Sequence, residues 1–421
     1  MDMDIIIFYS KLLGVKGVWF IREVVVDDSG GRVDIFMEHR AEVRFPCPTC
    51  QAFCGIYDHL PEREFRHLNT CQMQTWVHAR IPRIQCPQHG VRQIMHGIAE
   101  DSTGMTFAFE SLVLMMEQEC SLESVGRILD LDWHSCQRIQ ARAVARGLSR
   151  KPRRIPENLG VDEKAFSRGH QYETLVYDND RGVVEYVCDD REEDSLVSYY
   201  LQFEKAELSC VKSVTMDMWP AYIGATRLCV PDAEKKIVFD KFHVIRFVVD
   251  AVDKVRKQEN AMLQESGNSV LKGTKYLWLW NRDNIPPARV AELDELRRLD
   301  LKVCRAWAIK ENLSRMWDFA NMAWMRRFFR AWYFWASHSR LKPIIAAAKT
   351  LKRHIDNIVT YAKHRVTNAL GESLNSKIEK VKRLACGFRN RENYKTAIYF
   401  HCGGLDLMPK RLNIAMQVMT A

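Results

Sequence analysis

The spacing of the hydrophobic residues changes along the chain, and this change limits the folds that the chain can adopt. Residues 17–45 alternate as strands do, because "VWFIREVVV" and "RVDIFME" flank "DDSGG", whose two glycines supply the positive φ that a hairpin loop needs. "QTWVHARIPRIQC" continues the strand-like spacing. We therefore expect a β-rich domain over residues 1–100.

From residue 107 to residue 150 the hydrophobic period becomes helical. "FAFESLVLMMEQE", "SLESVGRILD" and "DWHSCQRIQARAVARGLSR" predict three helices, and Ser121 and Asp132 are expected to cap the second and the third. Only the short stretch "LDL" joins these two helices, as in a helix-turn-helix. We assign residues 101–155 to such a DNA-binding domain, with a three-helix bundle as the alternative.

Arginines recur at every fourth position of the third helix: Arg138, Arg142, Arg146 and Arg150. At about 3.6 residues per turn they form one basic stripe, which can lie along a phosphate backbone. Ser135 and Gln137, near the start of the helix, could then reach base edges. The alternative is a solvated basic face.

Three strand-like segments follow: "LGVDEKAF", "YETLVYD" and "VVEYVCD". The short joint "NDRG" between the last two favours an antiparallel meander. A helical segment, the strand "VKSVTMD", a further helix and the strand "KKIVFDKFHV" come next, and this is the order of an RNase H-like sheet. We assign residues 156–244 and 362–405 to that α/β domain, and the almost wholly helical residues 245–361 to an insertion.

The insertion mixes aromatic with basic residues: Trp317, Trp324, Arg326, Arg327, Phe328, Trp332 and Trp335. Such a mixture could stack on unpaired bases, but aromatic residues at these spacings are more typical of a helical core, and we assign no site there. The arginines also interrupt the most apolar stretch of the chain, so we expect no membrane span.

Two pairs of metal-ligand residues lie in the first domain: Cys47 with Cys50 in "CPTC", and Cys86 with His89 in "CPQH". Two such turns between strands can complete the tetrahedron of a structural Zn²⁺ site with no open position. Chance pairing is the alternative, and three further residues could substitute as ligands: Cys54, His59 and Cys71.

Three carboxylates are candidates for holding catalytic Mg²⁺ or Mn²⁺. Asp162 lies in the first strand of the predicted sheet and Asp217 ends the fourth, so the two should lie side by side. Glu372 can join them if its helix packs on the sheet through an apolar stripe. That stripe consists of Leu374, Ile378, Val381 and Ala385. Asp240, at the end of the fifth strand, is the rival for a ligand role. We rank it, with His243 and Asn375, as a supporting residue around these ligands.

The formal net charge of +9 is concentrated near the C-terminus, where residues 361–411 carry eleven Lys and Arg against four Asp and Glu. Such asymmetry favours a polyanionic partner or a solvated basic face. We expect Lys377 and Lys380, beyond Glu372, to contact DNA. Thirteen scattered cysteines do not indicate a disulfide framework, so we expect a soluble protein of the reducing cytoplasm.

Six segments in order resemble the bacterial insertion-sequence transposases of the ISL3 family: "LLGVKGVWF", "CPTC" with "CPQH", "GVDEKAFSRGHQYETLVYD", "VTMDMWPAYI", "VFDKFHVIRFVVDAVDKVR" and "ESLNSKIEKVKRLACGFRNRENYKTAIYFHCG". The resemblance implies a multidomain α+β protein with a zinc ribbon, a helix-turn-helix and an RNase H-like DDE catalytic domain that a helical insertion interrupts. Asp162, Asp217 and Glu372 match the catalytic acids of the family. His89 stands where the family usually has a fourth Cys.

The resemblance also implies hydrolysis of a phosphodiester at the ends of a mobile element, followed by attack of the freed 3′-hydroxyl on target DNA. The partners would be the terminal inverted repeats and the target, both double-stranded DNA, with a homodimer pairing the two ends. The alternative is a DNA-binding regulator that has lost catalysis, although all three acids are present.

Overall fold

The computed structural model describes residues 4–15, 17–100, 103–167, 171–366 and 369–409, which divide into two units. The first unit contains the described residues up to Lys151 and those from Leu405 onward. The second contains the described residues from Pro152 to Gly404. Residues 101 and 102, where the predicted helix-turn-helix domain begins, and residues 168–170, within one family-like segment, lie outside the described residues.

The first unit begins with helix α1 (Ile5–Leu12) and continues with strands. These are β1 (Trp19–Asp27), β2 (Arg32–His39), β3 (Phe45–Pro46), β4 (Phe53–Cys54), β5 (Ile56–His59), β6 (Arg63–Thr70), β7 (Met73–Ala79), β8 (Pro82–Cys86) and β9 (Gly90–Gln93). One sheet has the order β1-β2-β7-β6, β3 pairs with β4, and β5, β8 and β9 form a third sheet. The prediction of a strand-rich N-terminal region is confirmed.

The loop between β1 and β2 follows from its sequence. Asp27 Oδ1 accepts hydrogen bonds from the backbone amides of Ser29 and Gly30, at 3.1 and 2.9 Å. Gly31 has a φ of +61°, a conformation that costs glycine little. The "DDSGG" motif therefore closes the hairpin.

Three helices complete the first unit: α2 (Phe107–Glu119), α3 (Leu122–Leu129) and α4 (Trp133–Arg150). The side chains of Ser121 and Asp132 accept hydrogen bonds from backbone amides three residues onward, so both predicted caps are confirmed. A Cβ on Gly126 would lie 2.6 Å from the carbonyl oxygen of Leu131. Glycine at this position thus lets α3 and the turn before α4 approach closely.

The second unit is built on a five-stranded sheet in the order β12-β11-β10-β13-β14. The strands are β10 (Asn158–Ser167), β11 (Gln171–Asp178), β12 (Val183–Asp189), β13 (Ser213–Met216) and β14 (Ile237–Phe239). The first three form an antiparallel meander, whereas β13 and β14 run parallel to β10. The predicted sequence of strands is confirmed.

The remaining described residues of the second unit are mostly helical. The helices are α5 (Glu193–Tyr200), α6 (Lys205–Ser209), α7 (Pro220–Cys229), α8 (Ala233–Lys236), α9 (Lys241–Glu265), α10 (Lys275–Leu279), α11 (Pro287–Arg297), α12 (Lys302–Ser314), α13 (Met322–Ser337), α14 (Lys342–Arg353), α15 (Ile355–Val359), α16 (Tyr361–His364), α17 (Ala369–Leu384) and α18 (Arg391–Cys402). No helix in the described part of the chain is long and apolar enough to span a membrane.

One predicted helix is divided in two. The spacing of "EDSLVSYYLQFEKAEL" predicts a single helical segment, but the chain turns after α5 and begins again at α6. Glu204 and Glu207 form a reciprocal capping box at the start of α6. That box satisfies the backbone amides of a new helix start, which explains the break.

The two faces of the sheet bury different cores. Val161 and Val176 belong to a large core that also contains Val248 of α9 and Trp332 of α13, so the helices of residues 245–361 share a core with the sheet. On the other face, Phe166, Leu175 and Tyr177 pack with α17 and α18. Successive residues of a strand point to opposite faces of the sheet. Since Val161 points to the large core, Asp162 points to the other face, on which α17 packs.

Candidate functional site

Three aspartates lie in one row across neighbouring parallel strands. Gly160 of β10 pairs with Thr215 of β13, and two positions further the same register brings Asp162 beside Asp217. Met216 of β13 pairs with Phe239 of β14, and the next position brings Asp217 beside Asp240. The row thus brings three acids together on adjacent strands, with Asp162 inside β10, Asp217 directly after β13 and Asp240 directly after β14.

Asp162 is buried and held by two hydrogen bonds. The backbone amide of Glu163 donates to Oδ1 at 2.8 Å, and Asn375 Nδ2 donates to Oδ2 at 2.6 Å. Burial, and then the negative charge of Asp217, raises the pKa of Asp162 to about 6. The charge of Asp217 adds to the effect of burial because the two residues lie on adjacent strands.

His243 of α9 lies between the other two acids. Its Nδ1 is 2.6 Å from Asp217 Oδ1 and 3.1 Å from Asp240 Oδ2. Burial lowers the pKa of His243, but the hydrogen bonds and charges of Asp217 and Asp240 outweigh burial and raise it to about 10. His243 Nδ1 thus lies within contact distance of both carboxylates, and its shorter contact is to the buried Oδ1 of Asp217.

Helix α17, which carries Glu372, packs on the face of the sheet to which Asp162 points. Asn375, which binds Asp162, lies three residues after Glu372, and positions three apart on a helix are neighbours. Glu372 is exposed, and among the described residues the three predicted acids do not form a group with all ligand atoms within 4.8 Å of one another. The structure therefore places Asp162 and Asp217 at matching positions of adjacent strands and brings the helix of Glu372 against Asp162.

The packing of α17 agrees with its apolar stripe at three of the four predicted positions. Leu374, Ile378 and Val381 are buried, whereas Ala385 is exposed because α17 ends at Leu384. The stripe holds the helix on the sheet, as the pattern predicts.

Two residues that sequence reasoning missed fix α17 from the sheet side. Tyr177 Oη donates to Asn375 Oδ1 at 3.0 Å, and Lys164 Nζ contacts the Asn375 carbonyl at 3.2 Å and Glu379 at 3.0 Å. Lys164 lies two residues after Asp162, hence on the same face of β10, and this spacing was the signal available in the sequence. Lys377 and Lys380, predicted to contact DNA, are exposed on α17.

The arginines of α4 do not share one environment. Arg146 is mostly buried and pairs with Glu110 at 2.6 Å, and Arg142 pairs with the same carboxylate at 3.2 Å. Glu110 has no exposed surface, so these two arginines balance an interior charge. Arg138 is exposed and donates to Ser135 Oγ at 3.1 Å. Glu110 and Glu100 engage Arg142 and Arg146, and Asp406 pairs with Arg150 at 3.2 Å, so the basic stripe of four arginines that the spacing predicts is reduced to Arg138.

Cys47, Cys50, Cys86 and His89 form a metal-type cluster in the first unit, with ligand atoms all within 4.8 Å of one another. Cys50 Sγ lies 3.7 Å from Cys86 Sγ, and His89 Nδ1 lies 3.5 and 3.8 Å from the sulfurs of Cys86 and Cys47. A tetrahedron with usual zinc bond lengths has edges of about 3.8 Å between sulfurs and about 3.6 Å from sulfur to nitrogen. The donor set and its spacing therefore fit Zn²⁺.

The residues named as substitute ligands lie outside this group. Cys54 is buried, and its sulfur contacts the carbonyl of Ala52 at 3.3 Å. His59 stacks on His39, with Nε2 atoms 2.6 Å apart, and Cys71 is exposed. The structure selects the four ligands that the paired spacing favours.

Comparison with known proteins gives one family match in each of the two units. The model of the ISL3 transposase family matches residues 159–398, more than half of the chain. The chain belongs to the ISL3 family of transposases. A second match covers residues 44–89 and is the zinc finger of the transposases of IS204, IS1001, IS1096 and IS1165.

Two relatives are similar to this chain over nearly their full length. The transposase of insertion sequence element IS1001 from Bordetella parapertussis is 27% identical over 397 residues, which cover 91% of this chain and 95% of the relative. The transposase of IS1557 from Mycobacterium tuberculosis is 25% identical over 413 residues, which cover 91% of this chain and 92% of the relative. The zinc-finger match includes all four residues of the Cys and His cluster.

Proposed function

We propose that the protein is a DDE transposase that binds the terminal inverted repeats of an insertion sequence and catalyses metal-dependent DNA strand cleavage and strand transfer. One observation carries the proposal: Asp162 and Asp217 lie on adjacent strands, and Asn375 ties Asp162 to the helix that carries Glu372. All three acids fall inside the family match. The sheet order, with a meander followed by parallel strands, supports an RNase H-like catalytic domain.

The donor set at the edge of the sheet suits a divalent cation. Asp217 Oδ1 is buried 2.6 Å from His243 Nδ1, and Asp162 presents a second buried carboxylate on the adjacent strand. Hard oxygen donors of this kind are what Mg²⁺ and Mn²⁺ bind. Asp162, Asp217 and Glu372 would hold the metal, which supplies activation of the attacking oxygen and stabilisation of the leaving oxygen.

The other residues of the site position these acids. Asn375 orients the Asp162 carboxylate, and His243 holds Asp217 and Asp240 at a fixed separation. Lys164 and Tyr177 fix Asn375 in turn. Such outer partners keep ligands in place when a phosphodiester enters the site.

The proposed DNA contacts come from both units. In the first unit, α3 and α4 have the short connection of a helix-turn-helix, and the exposed Arg138 lies in the first turns of α4. In the second unit, Lys377 and Lys380 are exposed on the helix of Glu372 and would meet phosphates near the cut. Two copies on paired ends would form the proposed homodimer. Zn²⁺ in the Cys and His cluster would be structural, because no ligand position remains open.

The test is cleavage of DNA that carries the inverted repeats of the element, with Mg²⁺, by the wild-type protein and by Asp217→Asn. We expect wild-type cleavage and a loss of at least about a thousandfold in the variant, because oxygen charge at the metal is removed. Binding of the same DNA should be unchanged. Equal cleavage by both proteins would refute the assignment of Asp217, and binding without cleavage by the wild type would favour a DNA-binding regulator.

A further inference from the structure

Residues 322–353, which form α13 and α14, carry no acidic side chain. The segment has eight Lys and Arg and no Asp or Glu. Arg326 pairs with Asp356, outside the segment. This part of the helical region therefore presents a concentrated positive charge that its own sequence does not balance.

Helix α13 separates its aromatic residues into a buried and an exposed face. Met325, Phe329 and Trp332 are buried in the core. Trp324 and Phe334, by contrast, are 54% and 66% exposed. The spacing of the aromatic residues favours a helical core. Core packing thus explains the aromatic residues on one face of α13 but not those on the exposed face.

The exposed face places aromatic and basic residues together. At 100° per residue, Trp324, Arg327, Phe334 and Trp335 lie within about 100° of arc on α13. The Arg327 guanidinium lies 5.3 Å from the Trp324 ring centre. On the neighbouring α14, Lys352 Nζ lies 4.7 Å from the ring of Tyr333, so cations of both helices border the aromatic face.

We propose that this face binds DNA with unpaired bases, and we call it the aromatic-basic surface. It is formed by Trp324, Arg327, Phe334 and Trp335 of α13 with Lys352 and Arg353 of α14. Exposed rings stack on the flat faces of bases, and flanking cations meet the phosphates. The proposal rests on the proposed function, since strand cleavage produces or requires unpaired DNA next to the acids.

Unpaired DNA fits this surface better than the other anionic partners. In a duplex the base faces are covered by their neighbours, and only phosphates would meet the surface. A helix that lies in a lipid interface keeps its cations on a face separate from its apolar residues. Here the cations alternate with exposed rings on one face, and the purely apolar face is used by the core.

The experiment measures fluorescence anisotropy of the full chain with labelled oligothymidine of about 20 nucleotides and with a blunt duplex of equal length that lacks the inverted repeats. In the double variant Trp324→Ala/Phe334→Ala we expect single-strand binding to weaken by at least roughly fivefold to a hundredfold, which is the range that one stacked base contributes. Duplex binding should change less than about twofold. Because both side chains are more than half exposed, the thermal unfolding of the variant should match that of the wild type.

Two further variants complete the design. Arg327→Gln/Lys352→Gln should lower the slope of log affinity against log salt for the single strand by about 1.4, at about 0.7 per lost phosphate contact. Tyr276→Ala removes an exposed aromatic residue of α10, outside the segment, and should leave single-strand binding unchanged.

Equal single-strand binding by the aromatic double variant and the wild type would overturn the proposal. So would an equal loss of single-strand and duplex binding, or tighter binding to anionic phospholipid vesicles than to oligothymidine. Asp217→Asn should keep single-strand binding while it loses cleavage. Failure of the aromatic-basic surface is thereby distinguished from failure of the catalytic assignment.

Discussion

At the scale of single residues, the site depends on how the buried carboxylates are held. Asp162 has two defined hydrogen-bond donors, one from its own strand and one from α17. The donor from α17 is Asn375, which Tyr177 and the backbone of α17 hold in turn. A single amide thus connects the sheet to the helix of the third acid.

Removing that amide tests its positioning role. Asn375→Ala should raise the Mn²⁺ concentration for half-maximal DNA cleavage by roughly tenfold to a hundredfold, which is the usual cost of losing an outer partner of a metal ligand. Ser373→Ala, at an exposed position of the same helix, should leave that concentration unchanged. An unchanged metal requirement in Asn375→Ala would show that the hydrogen bond to Asp162 does not position the ligand.

Glu117 of α2 makes the stability of the first unit depend on pH. Burial, and then the charge of Glu110, raises the pKa of Glu117 to about 8 in the folded protein, against 4.5 as its ordinary value. Because the folded state binds this proton more tightly than the unfolded state does, the proton stabilises the folded protein. This stabilisation is complete below pH 4.5 and is lost as the pH rises toward 8.

The matched comparison is Glu117→Gln against wild type in urea unfolding at pH 5 and pH 8. We compare the free energy of unfolding of the wild type with that of the variant at each pH. The wild-type value minus the variant value should fall by roughly 4 kcal/mol from pH 5 to pH 8. A constant difference between the two proteins at both values of pH would contradict the buried, protonated carboxyl.

At the scale of elements, α4 combines a structural and an exposed basic face. Arg146 and Arg142 bind the fully buried Glu110 of α2, and Arg138 remains exposed near the start of the helix. The two kinds of arginine should respond differently to truncation.

Arg146→Ala leaves the charge of Glu110 short of one partner and should lower the free energy of unfolding by about 3 kcal/mol. Arg138→Ala should change it by less than about 0.5 kcal/mol but weaken binding to the inverted repeat. Urea unfolding and DNA titration of both variants provide the measurement. Comparable stability of the two variants would refute the structural role of the Arg146 pair.

Local signals in the sequence predict most of the elements and part of the site. The caps Ser121 and Asp132 and the hairpin loop act over a few residues, although only Gly31 of the two loop glycines has the predicted positive φ; strand order follows from the lengths of the connections. The partner of an arginine or an asparagine depends instead on contacts between distant segments. The spacing of the α4 arginines therefore could not reveal Glu110, nor could the α17 pattern reveal Tyr177.

At the scale of the whole molecule, the two units carry different sets of possible metal donors. The first has a sulfur-rich cluster with tetrahedral spacing, and the second has the carboxylates that we propose as metal ligands. A soft and closed donor set selects Zn²⁺, whereas carboxylates suit Mg²⁺ or Mn²⁺. Substitution of a cysteine of the cluster should therefore remove zinc from the first unit, whereas substitution of a carboxylate should affect Mg²⁺ or Mn²⁺ in the second.

Metal analysis of the purified protein tests the first site. We expect one equivalent of zinc per chain in the wild type, a loss of most of it in Cys50→Ser, and full retention in Cys54→Ser. Cys54 is the matched control, since it is buried nearby but lies outside the cluster of four. Loss of zinc in Cys54→Ser alone would contradict the assigned ligands.

The catalytic site is the central claim, and a crystal of the protein with inverted-repeat DNA and Mn²⁺ tests it most directly. Anomalous scattering should show two Mn²⁺ peaks about 4 Å apart, bound by Asp162, Asp217 and Glu372. Peaks bound by Asp217 and Asp240 with Glu372 turned away, or no peak at the edge of the sheet, would contradict the account.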